Sequence, residues 1–216
     1  MNYLQLKEKQ RALRHNFQEG LSLRVHRALS WMNKAEQSTD DVDSQFIFLW
    51  VSFNAAYAQD IELITSSEIQ SFSLFLDKLH HLDKDKKLYH ILWHEFPSSI
   101  RTLLNNPYVF QPFWQYQNGL ISQHEFEERF ADAKRFANYA LAHQESAKLT
   151  ALVLQRLYTL RNQLIHGGAT WNSSANREQL KDAVKFLSQL VPCIINIMMD
   201  NPNELWGKAF YPVINS

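Results

Sequence analysis

Residues 145–168 read ESAKLTALVLQRLYTLRNQLIHGG, the pattern of one long amphipathic helix that ends in two glycines. Apolar residues recur every three or four positions, and at 100° per residue they fall within an arc of about 80°, an ordinary core-facing stripe. We therefore predict a helix over about 145–166, with Gly167 and Gly168 as a left-handed C-terminal cap. The stripe consists of Leu149, Val153, Leu157, Leu160 and Leu164.

The same helix carries a second apolar stripe, about 120° around from the first. Leu154, Tyr158 and Ile165 form it, Arg161 falls inside it, and Asn162 lies at its border. An arginine and an asparagine set in a second apolar face indicate contact with something beyond the core of one chain. A self-associating surface is the simplest candidate, so we expect a homodimer.

The remainder of the chain shows helical periodicity as well. Glycine and proline number only 5 and 6 in 216 residues, which argues against a turn-rich β sandwich and favours helices. The predicted fold class is all-α: a single domain over 1–216 built as a helical bundle, with helical and aromatic segments inserted at about 62–120. Helices are predicted over 3–19, 21–37, about 42–60, 68–82, about 122–141, 145–166 and about 175–200.

Charge and cysteine content limit the classes of function. Lys plus Arg equals Asp plus Glu, at 22 each, so there is no overall basic field for coating nucleic acid. The lysine run at 84–87 is interpreted as a solvated turn, with RNA contact as the alternative. Cys193 is the one cysteine and lies in an apolar setting that raises a thiol pKa, which argues against a nucleophile. With no signal peptide or apolar membrane span recognised, we predict a cytoplasmic protein.

The segment Arg161-Asn162-Gln163-Leu164-Ile165-His166 resembles the signature of the HEPN superfamily (higher eukaryotes and prokaryotes nucleotide-binding domain): an arginine, a polar residue, a short spacer and a histidine near a helix C-terminus. An Arg-Asn-x-x-x-His string is expected by chance roughly 0.03 times in a chain of this composition. The upstream segment 50–57, WVSFNAAY, is similar to the aromatic-Asn helix of several HEPN families. The resemblance covers about 42–60 and 145–200 and does not extend across 62–120.

The resemblance implies a fold and an activity. The fold would be an up-and-down HEPN-like four-helix bundle, and the activity a metal-independent endoribonuclease without a cofactor. It would act as a homodimer with a composite active site, as a toxin or a defence or stress effector. Its substrate would be RNA, and some HEPN proteins are paired with a nucleotidyltransferase-type antitoxin.

The chemistry needs a proton carrier and a cation beside the phosphate. His166 is suited to proton transfer, since histidine titrates nearest neutral pH. Arg161 offers a planar fork of donors to phosphate oxygens and stays charged throughout. Asn162, one turn before His166, could orient the ring or the phosphate. Asn54 and Tyr158 are candidates for supporting or substrate-binding roles.

Other interpretations of these residues stay open. Arg161 paired with a carboxylate, and His166 satisfying the last helical carbonyls, would make the motif structural. That would describe a non-catalytic HEPN-type module that binds a nucleotide, an RNA or a protein. A helical adaptor unrelated to nucleic acid, with 145–166 buried on both sides, is the third class. Asn54 also admits a structural role as a buried polar group with its own hydrogen-bond partner.

Two histidines outside the motif have metal-ligand spacing. His90 and His94 are one helical turn apart, and His80, His81 or Asp77 lies nearby in sequence. Pairs of this kind are common on solvated helices, and we predict no metal site.

Overall fold

The computed structural model describes residues 1–57, 66–174 and 176–207, with the side chains of all but 66–72 among them. Within these ranges the chain is helical and contains no β-strand. The predicted all-α fold class is therefore confirmed at this level.

Ten α-helices lie in the described ranges, with 3₁₀ turns at Arg14–Asn16 and Pro107–Val109 and a π-helical turn at Ile91–Glu95. The α-helices are α1 (Tyr3–Leu13), α2 (Glu19–Glu36), α3 (Val42–Tyr57), α4 (Ser66–Leu82), α5 (Lys87–His90), α6 (Pro97–Asn105), α7 (Gln111–Gln117), α8 (Gln123–Ala142), α9 (Ser146–Ile165) and α10 (Arg177–Asp200).

The chain divides into two compact units. The first unit contains Met1–Lys87 and the chain from Val184 onward, and the second unit is Leu88–Ala183. The division assigns the start of α10 to the second unit and the remainder of that helix to the first. The prediction of one domain with an insertion at 62–120 stays a prediction.

In the first unit, α3 is the most deeply buried helix of those before residue 58. Its aromatic stripe of Phe46, Trp50, Phe53 and Tyr57 is at most 4% exposed, so these four residues belong to the core. Ser52 is fully buried where α3 packs on α2, and its Oγ donates to the carbonyl oxygen of Ala28 at 2.7 Å. Small residues at this crossing allow the two helices to approach closely.

In the second unit, α8 and α9 are joined by three residues and pack on each other. The side chain of Ser122 accepts from the backbone N–H of Glu125 at 3.1 Å and so caps the start of α8. The core stripe of α9 is buried from Leu149 to Leu160, whereas Leu164 is half-buried. The turn at Pro107–Val109 and α6 also pack on α9.

Several boundaries differ from the sequence prediction. The first helix ends at Leu13 and gives way to a 3₁₀ turn instead of continuing to 19. Pro97 follows the π-helical turn at Ile91–Glu95 and is the first residue of α6. The fixed φ angle of proline suits the first position of a helix. Pro192 lies inside α10, which continues through it. The spacing of Ser67 and Gln70 predicts a capping box for the helix over 68–82, and both residues lie outside the described side chains.

By length and composition, α10 could cross a membrane, a property that the sequence prediction did not assign to it. Its apolar stretch is 78% buried inside the protein. Core helices of that kind pass the same test.

We predict that Ser52→Ala lowers the free energy of unfolding by about 1 kcal/mol, because a buried hydrogen bond is lost. Ser52→Leu should cost more, about 1–3 kcal/mol, because its side chain overpacks the contact between α2 and α3. Urea denaturation measures both changes, and Ser30→Ala on the exposed face of α2 is the control. Equal midpoints for all three variants would contradict close packing at Ser52.

Candidate functional site

The three motif residues lie in the last turn of α9 and at its C-cap. Arg161 and Asn162 are half-buried, and Arg161 Nη1 donates to Asn162 Oδ1 at 3.0 Å. His166 is the C-cap residue and is exposed. Its ring has no hydrogen-bond partner among the described side chains and backbone. The amide oxygen of Asn162 therefore accepts from the Arg161 guanidinium. The role predicted for Asn162, orienting the histidine or a phosphate, stays a prediction.

A left-handed cap fixes the position of His166. Gly167 has a φ of +70°, and its N–H donates to the carbonyl of Leu164 at 3.3 Å. Gly168 N–H donates to the carbonyl of Gln163 at 2.7 Å, which completes a Schellman motif. The predicted glycine cap is confirmed, and it stops the helix immediately after the histidine.

Gln163, a spacer position of the motif, connects three segments of the second unit. Its Nε2 donates to the carbonyl of Tyr108 at 2.6 Å, and its Oε1 accepts from Asn176 Nδ2 at 3.1 Å. Its backbone carbonyl accepts from Gly168. The turn at Pro107–Val109 and the loop after α9 are therefore both attached to the motif through one residue, whose role the sequence analysis did not predict.

Tyr108 has a fixed backbone and an exposed ring. Its carbonyl accepts from Trp114 Nε1 at 2.8 Å as well as from Gln163, and its N–H donates to Asn106 Oδ1 at 2.9 Å. The ring is 52% exposed and touches Phe113 edge-on, with centroids 5.2 Å apart. A tyrosine held in this way presents one aromatic surface to solvent beside the motif helix.

A buried arginine lies one turn and a half before Arg161 on the same helix. Arg156 is 4% exposed, and its guanidinium carbon lies 4.2 Å from the centroid of the Phe110 ring. Its Nη2 donates to the carbonyl of Leu104 at 3.4 Å, and no carboxylate of the described residues pairs with it. Burial lowers the pKa of Arg156 to about 10, so it stays charged at neutral pH.

The two segments that meet at Gln163 and Tyr108 contain no carboxylate. Of the 22 Asp and Glu residues in the chain, none lies between Glu95 and Glu125 or between Glu145 and Glu178. The first of these segments carries one arginine and the second carries four lysine or arginine residues. Those basic residues are Arg101, Lys148, Arg156, Arg161 and Arg177.

The two candidate supporting residues lie in different units. Tyr158 is half-buried on α9, one turn before Arg161 and Asn162. Asn54 is half-buried on α3 of the first unit, and its Oδ1 is buried without a hydrogen-bond donor among the described residues. An amide oxygen left in this state costs stability or receives a donor from elsewhere.

The other candidate groups do not form a site. The rings of His90 and His94 stack with centroids 5.1 Å apart, and His90 Nε2 lies 3.5 Å from Glu95 Oε1. In the part of the chain that the structure describes, no three His, Cys, Asp or Glu side chains are arranged to hold a metal. Burial raises the pKa of the Cys193 thiol to about 12, the direction that its apolar setting predicted.

The lysine-rich turn borders a cavity in the first unit of about 260 Å³. Within it, Lys87 pairs with Asp85 at 2.9 Å, and Asp200 pairs with Lys9 at 2.5 Å. These charges are balanced by each other, and the lysines are exposed, in agreement with a solvated turn. The residues that line the cavity are Leu82, Asp83, Lys84, Asp85, Lys87, Asn196, Ile197, Asp200 and Asn201.

No protein-family model, curated protein or solved structure matches this chain. The functional interpretation therefore depends on the motif residues and their geometry.

We predict that Gly167→Ala lowers the free energy of unfolding by about 1–2 kcal/mol, because a side chain is strained at a φ of +70°. Gly167→Asn should cost less, since asparagine tolerates the left-handed conformation. Urea denaturation of the two variants and the wild type measures the difference. An alanine variant as stable as the asparagine variant would contradict a cap that depends on backbone conformation.

Proposed function

We propose that this protein is a metal-independent endoribonuclease of the HEPN type. The observation that carries the proposal is that the C-terminal end of α9 places a half-buried arginine and an exposed histidine about one and a half helical turns apart, directly before a fixed cap. The helical composition is compatible with an up-and-down HEPN four-helix bundle, and that arrangement is part of the proposal.

Cleavage would proceed by internal transesterification. The 2′-oxygen of RNA forms a bond to phosphorus while the bond to the 5′-oxygen of the next nucleotide breaks. A base takes the 2′-hydroxyl proton and an acid protonates the leaving oxygen, so a 2′,3′-cyclic phosphate and a 5′-hydroxyl are formed. His166 supplies the proton transfer, and Arg161 holds the phosphate charge. Asn162 positions the guanidinium through the 3.0 Å hydrogen bond.

Two proton-transfer groups are needed, and each chain supplies one motif histidine, so the active form is a homodimer with a composite site. The second stripe of α9 supports self-association at its C-terminal end. Leu154 is buried, Tyr158 is half-buried, and Ile165 is 49% exposed, so the apolar stripe is most exposed beside the motif. An exposed isoleucine adjacent to the catalytic histidine is suited to a two-fold contact that joins two sites.

The cellular role follows from the resemblance and belongs to the same proposal. A cytoplasmic RNA-cleaving toxin or a stress or defence effector requires control, for which a nucleotidyltransferase-type antitoxin is the proposed partner. No metal or cofactor takes part in the proposed reaction.

The internal bond between Arg161 and Asn162 favours one alternative. Polar groups that satisfy each other need no substrate, and such a motif would serve a non-catalytic HEPN-type module that binds a nucleotide, an RNA or a protein.

We predict that the wild type cleaves RNA in the presence of EDTA and leaves 2′,3′-cyclic phosphate ends. His166→Ala should reduce the rate by about 10²–10⁴-fold, because the proton-transfer group is lost, and Arg161→Ala should also abolish cleavage. His143→Ala is the matched control, since His143 is the exposed C-cap histidine of α8.

Gel assays with end-group analysis measure the cleavage, after circular dichroism and light scattering show that fold and oligomeric state are unchanged. If no RNA tested is cleaved, or if all the variants cleave at equal rates, the nuclease proposal is wrong and the non-catalytic HEPN-type module replaces it.

We predict that Ile165→Glu converts the dimer to a monomer and removes RNA cleavage while the chain stays folded, because a carboxylate replaces the exposed apolar contact. Leu120→Glu is the control: Leu120 is 73% exposed in the turn between α7 and α8 and should leave the dimer intact. Sedimentation velocity measures the oligomeric state. A wild-type monomer, or an Ile165→Glu variant that remains dimeric, would overturn the role of this stripe.

A further inference from the structure

Two exposed aromatic rings lie on the segments that Gln163 attaches to the motif. Tyr108 is 52% exposed and its carbonyl accepts the Gln163 amide. Trp171 is 73% exposed and lies in the loop after α9. That loop is bonded to Gln163 at its start through the Gly168 N–H and at its end through Asn176 Nδ2. Two large exposed aromatic residues on segments that are both hydrogen-bonded to Gln163 indicate a surface that contacts a partner.

Chain geometry keeps both rings near the motif. Gln163 lies two residues after Arg161 and three before His166, which is about 3–5 Å along the helix axis. Trp171 is three residues beyond Gly168, so the two Cα atoms are separated by at most about 11 Å. Both rings are therefore attached to the motif through short stretches of chain.

The absence of carboxylates from the two segments favours a polyanion as the partner. Neither segment contains an aspartate or a glutamate, although the whole chain has 22. A protein partner would also find the aromatic rings suitable, but Arg161 lies two residues before Gln163 and neither segment contains a carboxylate, which favours a phosphate backbone. Aromatic faces beside an arginine are the combination that single-stranded nucleic acid uses, because unpaired bases stack on the rings.

We infer that Tyr108 and Trp171 are stacking platforms for unpaired bases that flank the scissile phosphate, so the substrate is single-stranded RNA. This inference rests on the proposed function for its choice of RNA. A duplex hides the faces of its bases within the helical stack and cannot use these rings. The site therefore selects loops, tails and unstructured transcripts.

The test measures binding separately from cleavage. The probe is a fluorescent 2′-O-methyl oligoribonucleotide of roughly ten residues, a length within the site sizes of single-strand binders, and it cannot be cleaved because its 2′-oxygen is blocked. Tyr108→Ala and Trp171→Ala should each weaken its binding by about fivefold to a hundredfold, the range for loss of one stacked base. Tyr108→Phe, which keeps the ring, should bind like the wild type.

Tyr139→Ala is the matched control. Tyr139 is 49% exposed, close to the 52% of Tyr108, and Lys148 in the first turn of α9 lies over its ring. That contact places it near the opposite end of α9 from His166, about 25 Å along the axis. Its substitution should change binding of the probe by less than twofold.

Failure of this inference and failure of the proposed nuclease are distinguishable. If the wild type does not bind the probe, if Tyr108→Ala and Trp171→Ala bind like Tyr139→Ala, or if duplex of the same sequence binds as tightly, the stacking platform is overturned. Cleavage of unmodified RNA by the wild type is measured independently and decides the nuclease. If binding of the probe depends on Tyr108 and Trp171 but RNA is not cleaved, the stacking inference stands and the proposed nuclease activity is wrong.

Discussion

The amide side chain of Gln163 is the contact on which the site depends. The side chain donates to the Tyr108 carbonyl and accepts from Asn176, while the backbone carbonyl of Gln163 accepts from the Gly168 N–H. A glutamate could not donate and a leucine could do neither, so this pair of bonds requires an amide of this length. The position between the arginine and the histidine of the motif therefore assembles the turn before α7 and the loop after α9 around the candidate catalytic residues.

Local features of the site could be predicted from sequence, and long-range ones could not. The helix and its cap follow from a 3.6-residue periodicity and two adjacent glycines, which are signals contained within a few turns. The bond from Gln163 to Tyr108 spans 55 positions, and no periodicity encodes it. The bond between Arg161 and Asn162 was also missed, because neighbouring residues on a helix normally face different directions and only a long, flexible side chain can bend back.

The middle of the chain shows the same limit. Pro97, Pro107 and Pro112 each lie at the start of a helical or 3₁₀ segment. Proline is found both just after a helix and at the first position of one. A proline in the sequence therefore marks a boundary but does not show whether a helix ends or begins there. Arg156 is a related case: sequence marks it as a cation, whereas its burial against Phe110 depends on the position of that turn in space.

The balanced charge of the chain and the aromatic surroundings of the motif have a common consequence. At physiological salt, charges more than about 8 Å apart are largely screened, so the distribution of charge around the motif matters more than the net value. Each contacted phosphate of a single strand contributes a salt-dependence slope of about 0.7, and a site with few cations gains little affinity in this way. Stacking is independent of sequence and survives screening. Under the proposed function, a neutral protein that cleaves RNA at one point depends on aromatic rings for binding, and those rings must be held rigidly beside the candidate catalytic residues, as the Gln163 contacts hold the Tyr108 backbone.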